Sequence, residues 1–151
     1  MSRLLLPLVL LCARSPGQTR SSLNGAWRMD PARSDFGSGP VPVLRLDRIH
    51  IDGAHMKDTI TQKLRSGREA TYDMNYVIGG PESTNRPGGN RVKSTARWDG
   101  RDLVVDSTVY AFRVERIEDR WSVSADGKTL TLLRHMTGPL TTDQKIVSDR
   151  Q

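Results

Sequence analysis

The stretch 116–136, RIEDRWSVSADGKTLTLLRHM, leaves the chain little choice of local structure. Ile117, Asp119, Trp121 and Val123 alternate with Arg116, Glu118, Arg120, Ser122 and Ser124. Leu130, Leu132, Arg134 and Met136 then alternate with Thr129, Thr131, Leu133 and His135. A period of two is the pattern of a strand with one buried face. Between the runs stands Ala125-Asp126-Gly127-Lys128, and Asp and Gly tolerate the positive φ of a tight hairpin. Folding there sets Val123 opposite Leu130, Trp121 opposite Leu132, Asp119 opposite Arg134 and Ile117 opposite Met136. Each inward apolar residue meets another, and the one inward acid meets the one inward base. The segment is a β-hairpin.

The same alternation recurs along the chain. Leu44 and Leu46 share one parity and Ile49 and Ile51 the other, which predicts a bulge near Asp47-Arg48. Met56, Ile60 and Leu64 share a face with Asp58 and Gln62. Ala70, Tyr72, Met74, Tyr76 and Ile78 form the next inward row, then Val92, Ser94, Ala96 and Trp98, then Leu103, Val105, Ser107 and Val109. Asp52-Gly53, Ser66-Gly67 and Asp99-Gly100 punctuate these rows as turns. Residues 79–90, GGPESTNRPGGN, read as the longest loop, and a last strand is expected around Lys145-Ile146-Val147. No segment has the period of an ordinary helix. The expected fold is all-β, an antiparallel up-and-down meander closing into a lipocalin-like barrel of roughly eight strands, since closure removes exposed edges.

The N-terminus follows different rules. Arg3 precedes an apolar run at 4–13 that is too short to span a bilayer and has the length of a signal-peptide core. Ser15 and Gly17 are small residues before Gln18, with Ala13-Arg14-Ser15 as a competing cleavage site. We therefore expect a signal peptide at 1–17, a linker at 18–22 and the barrel at 23–151, in a secreted or periplasmic protein. Cys12 is the single cysteine. Lipid attachment there would anchor the chain, but Leu11 stands where a lipoprotein signal wants a small residue, so an ordinary leader cysteine is the preferred reading. A barrel without cysteine has no disulfide, zinc–thiolate site or thiol nucleophile. The net charge of +6 favours anionic partners without choosing one.

Gly25-Ala26-Trp27 at the head of the first strand resembles the G-x-W signature of lipocalins and their calycin relatives. In that family a basic residue of the last strand packs over the tryptophan at the closed end, a role that Lys145 or Arg150 would have to fill. A resemblance over nearly the whole mature chain rests on four stretches: 23–27 (LNGAW), 30–36 (DPARSDF), 93–100 (KSTARWDG) and 123–131 (VSADGKTLT). Together these are similar to a group of small secreted bacterial lipocalin-like proteins. The resemblance implies a barrel and an extracytoplasmic address, and it brings no catalytic residues to transfer.

Parity sends polar groups inward with the apolar ones: Asp58, Gln62, Tyr72, Tyr76, Ser94, Ser107, Asp119 and Arg134. A barrel of this size is filled by side chains or holds one small ligand, and a few polar groups among apolar walls fix a ligand's orientation. The candidate ligand-binding residues are accordingly Asp58, Gln62, Tyr72, Tyr76, Asp119 and Arg134. Mutual neutralisation of Asp119 and Arg134 competes with a ligand role, and the tyrosines also read as core. His50, His55 and His135 lack metal-ligand spacing, and no G-x-S-x-G elbow or phosphate cradle occurs. The row Arg91, Lys93, Arg97 carries no interleaved aromatic and reads as a solvated face. The expectation is a monomeric, non-catalytic binder of a small amphiphilic or hydrophobic ligand, with no cofactor, no metal, no specific nucleic acid and no transmembrane segment. Two alternatives stay open: an envelope interaction module with a filled barrel, and a small barrel enzyme using Asp58, Tyr72, Asp119 and Arg134.

Overall fold

A computed structural model describes residues 22–151; the signal-peptide segment 1–17 and most of the linker lie outside the described residues. Ten strands form one antiparallel meander: β1 Gly25–Met29, β2 Pro42–Asp52, β3 His55–Leu64, β4 Glu69–Val77, β5 Ser83–Asn85, β6 Arg91–Asp99, β7 Asp102–Tyr110, β8 Val114–Val123, β9 Thr129–Thr137 and β10 Thr142–Arg150. Their order in the sheet is β4-β3-β2-β1-β10-β9-β8-β7-β6-β5. The strand beyond expectation is β5: residues 79–90 are not a plain loop, because they contain it and a 3-10 turn at Pro87–Gly89.

β4 and β5 end the sheet, and their meeting nearly closes the barrel. The Asn85 carboxamide accepts from Asn75 N–H at 2.8 Å and donates to Asn75 C=O at 2.9 Å. Gly79 N–H donates to Ala96 C=O at 2.7 Å beside a parallel bridge between Ile78 and Ala96. On the other side, the segment after β1 continues along β10: a 3-10 turn at Pro31–Arg33, capped by Asp30, leads to a bridge between Asp35 and Lys145 and seats Phe36 in the core.

The hairpin of β8 and β9 has the register that alternation requires, with Val123, Trp121, Asp119 and Ile117 facing Leu130, Leu132, Arg134 and Met136. Gly127 takes φ +73° in its turn. β2 departs from expectation. It pairs with β3 without interruption from Leu44 to Asp52, and the irregularity lies between Pro42 and Leu44 instead of at Asp47-Arg48. One parity therefore holds along β2: Arg45, Asp47 and Ile49 are buried, while Leu44 and Leu46 lie on the outer face, half-covered. Two charged side chains stand inside in place of the two expected leucines.

At one end of the barrel Trp27 is fully buried, and its indole N–H donates to Leu23 C=O at 2.8 Å. The Arg150 guanidinium lies over the ring, 4.1 Å from its centre. It also donates to Gly127 C=O at 2.7 Å, Asn24 C=O at 2.6 Å and Ser22 C=O at 2.8 Å. One side chain thus ties the first strand, the β8–β9 turn and the last strand together. Gly25 explains the motif's glycine: a Cβ there would stand 2.6 Å from Arg150 Nη1, and its φ of +138° is one that other residues rarely adopt. Lys145 is exposed and takes no part in this packing.

Candidate functional site

The buried interior contains a charged cluster built by four strands. From β2, Arg45 donates to Asp47 through Nε at 2.9 Å and Nη2 at 2.6 Å. From β9, Arg134 donates to Asp119 of β8 through Nε at 2.7 Å and Nη2 at 2.8 Å. Both are two-pronged guanidinium–carboxylate forks, which leave Nη1 of each arginine outside the fork. Asp58 of β3 is fully buried on the same inward face, one position diagonal to Asp47, since Ile49 pairs with Asp58 and Asp47 with Ile60.

Burial and then the charge of Asp47 push the Asp58 carboxyl well above its ordinary range, outweighing the opposing pull of Arg45. Neither of its oxygens accepts a hydrogen bond, and as the neutral acid its O–H is placed to donate to Asp47, which favours the protonated form further. Ionised, it would add an unpaired charge beside Asp47 in a low-dielectric interior, so the neutral acid is the form this site tolerates. Burial also raises the Tyr72 and Tyr76 phenols, which stay protonated. For Arg45, burial opposes the charge but Asp47 prevails, and the guanidinium stays protonated. With Asp58 neutral, Arg45 cancels Asp47 and Arg134 cancels Asp119. The interior is strongly polar and carries no net charge.

The sign of the Asp58 effect is testable. Its folded-state pKa lies above its unfolded value of about 3.9, so between the two values the folded protein holds the extra proton. Stability from this group is full below that window and falls as pH rises through it. Replacement of Asp58 by Asn removes the titration while keeping shape and polarity. Urea midpoints measured from about pH 4 upward should then decline less in Asp58→Asn than in wild type. Parallel profiles in the two proteins would show that Asp58 ionises normally.

Two cavities lie toward the end of the barrel opposite Trp27, and Arg45 and Arg134 line both. The larger, about 330 Å³, is walled by Phe36, Pro42, Leu64, Ala70, Met136 and Ile146, with Gln62, Arg68 and Gln144 as its polar groups. The smaller, about 170 Å³, is walled by Ile60, Met74, Val92, Val109, Ile117 and Trp121, with Tyr72, Tyr76, Ser107, Asn90 and Asp119 among them. Of the six candidates, the structure therefore places Tyr72, Tyr76, Asp119 and Arg134 around the smaller cavity and Gln62 in the larger. Asp58 lines neither; it stands beside Asp47 and Arg45 in the buried cluster.

Sequence reasoning missed Arg45 and Asp47. The signal is present, because the parity of Ile49 and Ile51 carried back along β2 without a bulge reaches both. Elsewhere the structure leaves little to recruit. Lys93 pairs with Glu82 at 2.8 Å, Arg97 pairs with Asp106, and Arg91 lies over the Tyr110 ring, so the basic row of β6 is already engaged. Among the described residues no cluster of three or more His, Cys, Asp or Glu is placed to hold a metal ion. No helix among them is long and apolar enough to cross a membrane.

No protein-family model and no curated protein sequence matches the chain. Solved structures do. The REP1-NXSQ fatty acid transporter superposes with a TM-score of 0.60 at 17% identity, over 85% of this chain and 96% of that one. A secretory abundant heat soluble protein from Ramazzottius varieornatus gives 0.62 at 16% identity, over 91% and 100%. Zebrafish ileal bile acid-binding protein, complexed with cholic acid, gives 0.55 at 15%, over 85% and 97%. What the chain shares with them is the fold, an antiparallel up-and-down β-barrel of lipocalin-like type. Within this lipocalin-like barrel the polar cluster is buried in the interior, with Arg45 and Arg134 reaching both cavities and Asp119 the smaller, while the G-x-W tryptophan and its arginine close the opposite end.

Proposed function

We propose that the protein is an exported lipocalin-like barrel that binds a small amphiphilic molecule without transforming it. The observation that carries this reading is the pair of adjoining cavities with Arg45 and Arg134 as a common polar wall between apolar ones. Each arginine is held rigid by its carboxylate fork and keeps Nη1 for a further acceptor. Tyr72 and Tyr76 add neutral donors. A ligand's oxygen-bearing head would meet these groups and its apolar part the surrounding walls, as in small-molecule sites generally. Because the interior is neutral overall, the head is a hydroxyl, an amide or a single carboxylate that accepts from both arginines, not a multiply charged group. Cavities of about 330 and 170 Å³ fit a small amphiphile. That the neighbouring folds belong to a fatty acid transporter and a bile acid-binding protein supports the same ligand class. Export rests on the leader-like segment 1–17.

One experiment tests both parts. Protein isolated from the extracytoplasmic fraction of its own host is weighed by mass spectrometry under denaturing and native conditions. The denatured mass should match a chain starting near Gln18, and the native mass should exceed it by a small organic ligand. An intact mass beginning at Met1 would overturn the export reading. An unliganded native mass, with no quenching of tryptophan fluorescence by decanoate or decanol, would overturn the binding reading.

A further inference from the structure

In an up-and-down meander alternate turns share an end. The connections 39–41, 65–68, 86–90, 111–113 and 138–141 all lie at the end away from Trp27. They contain Arg65, Arg68, Arg86 and Arg113, all exposed, while the acids nearest them are fewer: Asp35 in the lead-in to 39–41, and Glu69 and Glu115 at the starts of the adjoining strands β4 and β8. None of the four enters an ion pair among the described residues. The connections 53–54, 78–82, 100–101 and 124–128 at the Trp27 end carry Glu82, Arg101, Asp126 and Lys128, which cancel. Charge is thus distributed unevenly between the two ends.

Exposed apolar surface follows the same division. Phe112 is 99% exposed and Leu140 76%, and Val114, Val41 and Val43 are also uncovered at this end, with Tyr110 exposed beside Arg91. Among the described residues, the one other large exposed hydrophobic is Leu133. The tips bearing Phe112 and Leu140 are neighbours, since a Cβ on Gly138 would come within 3.5 Å of Glu115 Cα. Single exposed apolar residues are ordinary on protein surfaces, but their collection at one end beside an excess of unpaired positive charge is not.

We propose that this end of the barrel docks on an anionic lipid bilayer, with Phe112 and Leu140 inserted below the headgroups and Arg65, Arg68, Arg86 and Arg113 on the lipid phosphates. The shape favours lipid over a protein partner. The apolar side chains project from hairpin tips, and a deformable lipid surface receives such projections, whereas a protein would need pockets matched to them. Apolar insertion and basic attraction to anionic lipid act additively at such a surface. The end that docks is the end toward which both cavities lie.

Co-sedimentation with phosphatidylcholine vesicles, with and without phosphatidylglycerol, tests this on the mature chain. Binding should require phosphatidylglycerol and weaken as salt rises. The double change Phe112→Ser, Leu140→Ser should lower vesicle partitioning about tenfold with an unchanged melting temperature, because neither side chain is packed. Arg65→Gln with Arg68→Gln should weaken binding and flatten its salt dependence. Equal binding to both vesicle types, or partitioning indifferent to these variants, overturns the proposal. So does self-association abolished by Phe112→Ser in a protein that ignores vesicles. The proposal does not depend on an occupied lumen: vesicle binding by an empty barrel supports it, and ligand binding without vesicle binding overturns docking alone.

Discussion

Truncating Trp27 to alanine should destabilise the barrel by about 3–5 kcal/mol, the scale of a deleted buried aromatic. The side chain is fully buried, so its removal leaves a cavity at the closed end that the surrounding strands can fill only in part. Two further losses accompany the cavity. Leu23 C=O loses its indole donor, and the Arg150 guanidinium loses the ring face beneath it. Arg150 would keep its three carbonyl acceptors, which limits the collapse to the ring's own volume. Trp27→Phe is the informative control, because it retains most of the packing and gives up the hydrogen bond, a net loss of roughly 0.5–1.5 kcal/mol plus a small residual cavity. Urea unfolding of the three proteins measures both steps. A loss below about 1 kcal/mol for Trp27→Ala, the range of ordinary surface changes, would show that this end tolerates an empty space and that the G-x-W packing is not what holds it.

Legibility of this chain follows from which residues its strands carry. The β8–β9 hairpin is fully readable, register included, because its turn admits one fold and, within 116–136, the apolar residues of each strand, Leu133 apart, share one parity. Alternation alone therefore pairs Asp119 with Arg134. The G-x-W pattern places Trp27 correctly but leaves its partner open between Lys145 and Arg150, because a strand's last residues follow its twist and not its hydrophobic pattern. β2 misleads for a physical reason. Leucine at 44 and 46 looks like core, yet in this barrel the outer face of β2 is half-covered and can hold them, while the forked pairing of Arg45 with Asp47 makes two charges tolerable inside. β5 is invisible to pattern, since three residues cannot display a period, and the barrel is sealed there by the Asn85 side-chain amide together with the Ile78–Ala96 bridge. The polar interior is thus legible only in the half built from strands of clean alternation.

The pair Asp119 and Arg134 should prove strongly coupled in a double-mutant cycle. Asp119 is 6% exposed and Arg134 23%, and their fork is two hydrogen bonds wide. Asp119→Asn leaves the guanidinium without its counter-charge, and Arg134→Gln leaves a buried carboxylate facing the cavity. Each single change should cost about 3–5 kcal/mol, the range for breaking a buried pair from one side. Arg134 sits partly open to the cavities, where water can reach the surviving charge, so the lower half of that range is expected for Asp119→Asn. The double variant removes both charges and should cost much less than the sum of the singles. Asp58→Asn supplies the contrast within the same cluster, since that carboxyl is already neutral and its replacement strands no partner. A ligand arriving with one carboxylate would be drawn to the same Arg134, so Arg134→Gln should lose affinity beyond its effect on stability, whereas Asp119→Asn should leave a freer guanidinium and bind such a ligand more tightly. Urea unfolding for the cycle and a fluorescence titration with decanoate for the singles separate the two roles. Additive stability losses would show that the fork contributes nothing as a pair, and equal weakening of decanoate binding by both singles would show that Arg134 acts on the lumen only as scaffold.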